Sequence, residues 1–119
     1  MATGIISIGS YVPYYRIERK LIGTAWGRGS MKGEKAVAGT DEDSLTMAVE
    51  SAIRSLDNAK REDISALYFA SNTPPYAEKS AASIIASVCD LPGEIFTADI
   101  TGTTRAGVAA MKMALDSAK

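Results

Sequence analysis

The sequence predicts an α/β protein of the order βαβαβα with a mainly parallel sheet. Three apolar runs, rich in β-branched or aromatic residues, are typical of buried strands: GIISIG (4–9), SALYFASN (65–72) and EIFTADI (94–100). Segments of helix length separate these runs, and such alternation favours parallel βαβ units with right-handed crossovers. With 119 residues, 46% of them hydrophobic, the chain is long enough for one domain with a modest core.

The first third of the chain combines one predicted strand with a long loop. Pro13 ends the strand, and the tyrosines around it make an aromatic loop whose side chains we expect to pack rather than to bind substrate. A short helical stretch is predicted around Ile17 to Leu21. Residues 25–40 are rich in glycine and lack periodicity, so we expect a long surface loop, which in a compact domain is more often functional than idle.

Three longer helices are predicted after this loop. The first starts in TDEDSL, where Thr40 can cap with Asp43 and an acidic first turn complements the helix dipole. The second covers residues 77–92 and is stopped by Pro92, and the third covers residues 104–118. The apolar stripe of the first helix consists of Leu45, Ala48, Val49, Ala52, Ile53 and Leu56.

The composition of the chain argues against nucleic-acid and membrane partners. Its 13 basic and 14 acidic residues give a formal net charge of −1 and form no polybasic tract. No apolar run approaches the roughly 20 residues of a membrane-spanning helix, and the first residues lack the pattern of a signal peptide. The single cysteine, Cys89, is typical of a reducing compartment, so we expect a cytoplasmic protein.

The chain contains no histidine, so the commonest general base and metal ligand is missing. Acid–base chemistry would therefore require Asp, Glu, Lys or Tyr, or a residue from another chain. Neither GSYVPYY after the first strand nor TGTTRAG after the third has the glycine spacing of a dinucleotide-binding turn. We expect no metal and no nucleotide cofactor.

Four stretches of the sequence, in order, cover essentially the whole chain: GIISIGSYVPYYRIERK, GEKAVAGTDEDSLTMAVESA, ALYFASNTPPYAEKSAASIIASVCDLP and ADITGTTRAGVAAMKMALD. Together they resemble the start of the hydroxymethylglutaryl-CoA synthase family, in the thiolase-like superfamily that also holds the β-ketoacyl synthases. The resemblance implies a thiolase-like fold, in which two similar α/β halves pack around buried helices, and Claisen-type chemistry on acyl-CoA thioesters. Residues 1–119 would then form an incomplete N-terminal thiolase-like domain, with acyl-CoA as substrate or ligand.

The same resemblance implies positions for the catalytic groups of the family. The family's acylated cysteine lies at the turn into a buried helix, where the helix dipole and unpaired N–H groups stabilise a thiolate. Its Cys-x-Ala-Gly segment matches Thr104-Arg105-Ala106-Gly107, which puts Thr104 at the cysteine position, or Thr103 if the register slips by one. The family's glutamate, a general acid/base, matches Asn72, whose amide cannot transfer a proton at neutral pH.

These departures leave two interpretations of the turn. A threonine hydroxyl needs an adjacent base to attack a thioester, so we favour Thr103 and Thr104 as caps of the third helix over a threonine nucleophile. Asn72 either orients a thioester carbonyl or forms a turn before Thr-Pro-Pro. Cys89 is predicted near the end of the second helix, as a small apolar residue rather than a nucleophile.

Four cations are candidates for contacts with the phosphates of CoA: Arg105, Arg28, Lys32 and Lys35. Because Arg105 would oppose the dipole of the third helix, an ion pair with Asp99 across the strand–helix corner is favoured over ligand binding. The other three lie in the glycine-rich loop, where solvated charges are also common.

Three functions are compatible with the sequence. The first is a segment or subunit of an acyl-CoA acyltransferase that needs further chain or a partner for catalysis. The second is a non-catalytic acyl-CoA-binding or scaffolding subunit of a multi-subunit acyltransferase complex, which the missing Cys, Glu and His favour over a self-sufficient enzyme; the third is a free-standing interaction domain. Because the third helix is apolar on more than one face, we expect a homo- or hetero-oligomer with another thiolase-like subunit, with helix 104–118 in the contact.

Overall fold

The computed structural model describes residues 2–29, 31–57 and 59–118. The chain divides into two compact units. The smaller unit is Val12–Asp43, and the larger unit contains the residues up to Tyr11 and those from Ser44 onward.

The smaller unit contains a two-stranded antiparallel ladder, and a helix connects its two strands. Strand β1 (Tyr15–Glu18) leads directly into helix α1 (Arg19–Ala25), and strand β2 (Glu34–Val37) returns to pair with β1, with Tyr15 opposite Val37. The prediction of a helix around Ile17 to Leu21 is therefore only half right, because residues up to Glu18 are held by the ladder. Part of the predicted loop 25–40 is a strand for the same reason.

The larger unit places three helices around a parallel pair of strands. Its elements are helix α2 (Ser44–Ser55), a 3-10 turn (Arg61–Asp63), strand β3 (Ala66–Ala70), helix α3 (Ala81–Val88), strand β4 (Phe96–Ile100) and helix α4 (Ala106–Ser117). Strands β3 and β4 pair in register from Ala66 opposite Phe96 to Ala70 opposite Ile100. The two predicted strands 65–72 and 94–100 are confirmed, as is their parallel arrangement.

The core of the larger unit lies where α2 and α3 pack with β3. Its buried side chains are Leu45, Leu56, Phe69, Ala81, Ala82, Ile85 and Cys89. Most of the apolar stripe predicted for α2 contributes, since Ala48, Val49 and Ala52 pack against this cluster. Ile53 is the exception, with 41% of its surface exposed.

Residues 4–9 are not the buried strand that the sequence predicts. They run without a helix, a turn or a bend, and no strand pairs with them within the described part of the chain. Ile5, Ile6 and Ile8 are exposed. The run has the composition of a strand, but a strand also needs a neighbour to bond its backbone.

The helix starts also differ from the prediction. Helix α2 begins at Ser44, so its first turn holds no acidic residue, and Thr40 lies outside it. Instead, Glu42 accepts a hydrogen bond from the Gly39 N–H at 2.8 Å and closes a local turn before the helix. Helix α3 is shorter than predicted: Ser80 caps its start, and Asp90, with a φ of 56°, turns the chain away before Pro92 is reached.

The structure contains, among its described helices, none that is both long and apolar enough to cross a bilayer.

Candidate functional site

The candidate site lies at the carboxyl edge of the β3–β4 sheet. Because the strands are parallel, the loop after β3 and the corner after β4 emerge at the same edge, where α/β proteins commonly bind ligands. The Ser71 N–H extends the pairing by donating to the Ile100 carbonyl at 3.1 Å. Asn72, the next residue, therefore leaves the sheet beside the corner that carries Thr103 and Thr104.

The corner is a tight, exposed turn formed by residues 101–105. Gly102 has a φ of 83°, which favours glycine because a Cβ is disfavoured in that region. The Thr103 hydroxyl accepts a hydrogen bond from the Arg105 N–H at 3.2 Å, and the Thr103 carbonyl accepts one from Ala106 at 3.1 Å. These bonds turn the chain into α4.

The two threonines of the corner differ in their contacts. Arg105, not a threonine, is the cap residue of α4, and its side chain makes no capping bond. Thr103 makes the local turn bond just described, whereas the Thr104 hydroxyl has no hydrogen-bond partner among the described residues. The expected capping role is thus replaced by a turn bond at Thr103 and is absent at Thr104.

The expected ion pair between Arg105 and Asp99 does not form. The Asp99 carboxylate instead accepts hydrogen bonds from the N–H groups of Ala81 at 2.7 Å and Ala82 at 2.8 Å, and from the Ser80 hydroxyl at 3.2 Å. The first N–H groups of a helix lack partners within it and attract an anion, so α3 takes the carboxylate. This role of Asp99 was not predicted from the sequence, although Ser80, at the start of a helix pattern, was a usable signal.

The loop after β3 is fixed at several points. The Ser71 hydroxyl accepts from the Thr73 N–H at 3.0 Å, and the Ser44 hydroxyl donates to the Thr73 carbonyl at 2.7 Å. Further along, the Lys79 ammonium lies 5.1 Å from the centre of the Tyr76 ring, a cation–π distance. Asn72, between these anchors, is exposed and has no hydrogen-bond partner among the described residues.

An open cleft of about 410 Å³ lies between this loop and the end of β4. Thr101, at the start of the corner, is part of its lining. A cleft of this size is large enough for a small organic group, and its wall carries both signs of charge. The lining residues are Pro74, Tyr76, Ala77, Glu78, Lys79, Ser80, Thr97, Ala98, Asp99 and Thr101.

Cys89 is not placed as a nucleophile. It caps the C-terminal end of α3 and is only 2% exposed. Burial raises the pKa of its thiol, and the nearby positive charge of Arg61 opposes that rise only in part. Because the reactive form of cysteine is the thiolate, burial disfavours reaction at this thiol, in line with the expectation from the sequence.

The three other candidate cations belong to the smaller unit. Arg28 lines an apolar pocket of about 360 Å³ together with Ile22, Gly23, Trp26 and Met31. Lys32 lines a second depression, beside Lys20, Glu18 and Glu34. Lys35 lies on β2, opposite Ile17. All three side chains are exposed. Within the described part of the chain, no three His, Cys, Asp or Glu residues are placed to hold a metal.

Comparison with known proteins identifies relatives of the chain. The hydroxymethylglutaryl-CoA synthase of Methanococcus maripaludis (strain S2) is 39% identical over 121 residues, which cover 94% of this chain and 35% of the relative. That of Pyrococcus horikoshii is 38% identical over 115 residues, which cover 94% of this chain and 33% of the relative. This chain is a relative of the hydroxymethylglutaryl-CoA synthases. It spans about a third of their length, and no protein-family model matches it.

Solved structures establish the fold of this synthase relative. The HMG synthase of the curacin biosynthetic pathway, in complex with acetyl donor-ACP, superposes with a TM-score of 0.84 at 22% identity, over 96% of this chain and 30% of that chain. MvaS in complex with 3-hydroxy-3-methylglutaryl coenzyme A gives 0.83 at 22% identity, over 96% and 29%. The 3-oxoacyl-[acyl-carrier-protein] synthase III of Aquifex aeolicus gives 0.77 at 22% identity, over 95% and 39%. The fold is thiolase-like, as predicted.

Proposed function

We propose that this synthase relative is a segment or subunit of an acyl-CoA acyltransferase that carries out a Claisen-type condensation of acyl thioesters. The similarity to hydroxymethylglutaryl-CoA synthases over 94% of the chain is the observation that carries the proposal. Further chain or a partner must supply the catalytic cysteine and histidine, since the chain has one buried cysteine and no histidine.

In this proposal the corner after β4 contributes to the site that binds the acyl group. Thr104, or Thr103 in the alternative register, stands where the family's cysteine would be, and Asn72 stands where its glutamate would be. The free amide of Asn72 can donate a hydrogen bond to a thioester carbonyl, but it cannot move a proton. Arg105 offers an exposed cation beside the corner for an anionic part of the substrate.

The smaller unit has its own candidate contacts for the phosphates of CoA, namely Arg28, Lys32 and Lys35. Each is a flexible, exposed cation that can contact a phosphate of CoA. Arg28 also borders an apolar pocket, which suits a ligand that combines phosphates with an aromatic or aliphatic part.

The second candidate is a non-catalytic acyl-CoA-binding or scaffolding subunit of a multi-subunit acyltransferase complex. The amide at position 72 and the hydroxyl at position 104 favour this function. The amide cannot transfer a proton as a glutamate does, and the hydroxyl cannot attack a thioester without an adjacent base. In both versions we propose another thiolase-like subunit as the partner and, from the single buried cysteine, a cytoplasmic location. The exposed apolar residues Val108, Met111 and Met113 support the proposal that helix α4 forms the contact.

The decisive experiment incubates the chain with radiolabelled acetyl-CoA, alone and with candidate partner subunits, and maps the label by mass spectrometry. Label on a partner's cysteine that depends on this chain would support the proposal. Label on Thr103 or Thr104 would make threonine the nucleophile. If nothing is labelled but acetyl-CoA binds, the scaffolding function is favoured, and without binding both functions fail.

A pair of variants tests the site within this experiment. Arg105→Ala should weaken acetyl-CoA binding, whereas Lys112→Ala, which removes another exposed cation one helix turn or more away on α4, should not. Equal affinities for the two variants would remove Arg105 from the site.

A further inference from the structure

The loop between β3 and α3, residues 71–80, is held to β4 at both of its ends. At the first end, the Ser71 N–H donates a hydrogen bond to the Ile100 carbonyl at 3.1 Å. At the last end, the Ser80 hydroxyl donates to the Asp99 carboxylate at 3.2 Å. Two neighbouring residues of one strand therefore hold the beginning and the end of the loop.

Asp99 provides the stronger of the two attachments. Its carboxylate accepts hydrogen bonds from the Ala81 N–H at 2.7 Å and the Ala82 N–H at 2.8 Å, in addition to the bond from Ser80. Hydrogen bonds from N–H groups to a carboxylate are stronger than those to a neutral oxygen. The attachment of Ser71, by contrast, is a single backbone bond. Loss of the Asp99 carboxylate should therefore free the end of the loop that precedes α3.

The loop and the strand carry the two positions that the proposed function brings together. Asn72 directly follows Ser71, and the corner that holds Thr104 directly follows Ile100. The position of the Asn72 amide relative to this corner therefore depends on how the loop is held against the end of β4. A displacement of about 1 Å at a reacting group can cost a large part of its effect.

We propose that Asp99 is a positioning residue of the acyl-CoA site: it holds loop 71–80 against the end of β4 and thereby sets Asn72 relative to Thr104. The side chain acts through the loop and touches no substrate. The ligand in this inference rests on the proposed function, whereas the attachment of the loop does not.

Two variants of Asp99 and two controls test the inference. Asp99→Ala removes all three bonds, and Asp99→Asn keeps one acceptor oxygen and should retain part of them. Ile85→Val lowers stability at a buried position of α3 without touching the attachment. Asp90→Asn removes the same charge at the other end of α3, where the φ of 56° is one that asparagine tolerates.

Hydrogen exchange followed by NMR, without ligand, tests the attachment. The rates of the Ser71 and Thr73 amides are divided by that of the Phe69 amide in β3, so that unfolding of the whole core cancels. Asp99→Ala should raise this ratio about fivefold or more, because freeing one end of the loop also loosens the other end. Ile85→Val should leave the ratio within about twofold.

Two exchange results would overturn the proposal. Faster exchange confined to the Ala81 and Ala82 amides would make Asp99 a local cap of α3 with no effect on the loop. A rise of the ratio in Ile85→Val as large as that in Asp99→Ala would show that any loss of stability loosens the loop.

Calorimetric titration of the same variants with acetyl-CoA tests the site. Asp99→Ala should raise the dissociation constant about tenfold, Asp99→Asn should raise it less, and Ile85→Val and Asp90→Asn should leave it within about twofold. An unchanged constant in Asp99→Ala, despite faster exchange in the loop, would overturn the positioning role. No binding by the wild type would instead defeat the proposed function, and the exchange ratio would then decide whether Asp99 holds the loop.

Discussion

Asp99 joins strand β4 to helix α3 through one carboxylate. It accepts hydrogen bonds from two backbone N–H groups and one hydroxyl, all at the first turn of α3. Its charge also complements the helix dipole. Since β4 leads into the candidate corner, this single side chain fixes the corner relative to the helix.

Asp99→Ala should lower the free energy of unfolding by about 1–2 kcal/mol, because two N–H groups of α3 lose their acceptor. Urea unfolding followed by circular dichroism measures the change. Asp57→Ala, which removes an exposed carboxylate after α2, is the control and should stay within about 0.5 kcal/mol. Equal losses in the two variants would contradict the role assigned to Asp99.

Cys89 should resist thiol reagents in the folded chain, whereas Ser87→Cys adds an exposed thiol on the same helix that should react at once. The comparison is made by absorbance with a disulfide reagent.

Because burial raises the pKa of the Cys89 thiol, its contribution to stability is present below the pKa of the unfolded thiol, about 8.5, and is lost as the pH rises through the folded value. Stability that did not fall in this alkaline range for the wild type relative to Cys89→Ala would contradict the sign.

Elements with local signals could be predicted from the sequence. The apolar runs that became β3 and β4 were found with errors of one or two residues, because their pattern and their partners both lie within the chain. The run at residues 4–9 has an equally clear pattern but remains unpaired, and the short strand β2 depends on pairing with β1 rather than on its own composition. Pattern alone could not decide either case, since pairing is a tertiary property.

The contact of residues 4–9 with α2 can be tested at Gly9. Gly9→Ala should destabilise the larger unit by about 1–3 kcal/mol, because its Cβ would lie 2.2 Å from the Ser51 carbonyl oxygen and 2.4 Å from the Ser55 nitrogen. Gly4→Ala, where a Cβ meets no atom within 4 Å, should change little. The melting temperatures of both variants are measured by thermal unfolding. Similar values for the two variants would show that the segment does not pack on α2.

The corner before α4 can be tested with a second pair of glycines. Gly102→Ala should cost about 1–2 kcal/mol because the residue has a φ of 83°. Gly107→Ala, within α4 and facing open space, should instead stabilise the chain by about 0.5–1 kcal/mol. Urea unfolding gives both values, and a stabilising Gly102→Ala would mean that the turn differs from the one described.

At the scale of the whole molecule, the thiolase-like fold was predictable because four sequence blocks carry it in order. Less of the candidate site could be predicted from the sequence. Register placed Thr104 and Asn72 at one edge of the sheet, but the ion pair expected for Arg105 failed because α3 binds Asp99 more favourably. The roles of Thr103, Thr104, Asn72 and the four cations in acyl-CoA binding stay predictions.

The single tryptophan provides a test of the cations in the smaller unit. Trp26 lines the same pocket as Arg28, so binding of CoA there should change the intrinsic fluorescence of Trp26 in a saturable way. Arg28→Ala should weaken this response about tenfold, because a charged hydrogen bond to phosphate is lost. The control is Lys60→Ala, which removes an exposed cation of the larger unit. An unchanged fluorescence response in Arg28→Ala would exclude Arg28 from the phosphate contacts.

The hydrogen bonds between Asp99 and the start of α3 also limit where an anionic ligand can bind. Helix α3 starts at the wall of the cleft, but its leading amides are already engaged by a carboxylate of the same chain, so a phosphate or acyl carboxylate would have to displace it. Among the residues that the structure describes, the first turn of α4 holds no acidic side chain, and its cap residue is Arg105. We therefore expect a negatively charged ligand at this edge of the sheet to bind near the start of α4 rather than near the start of α3.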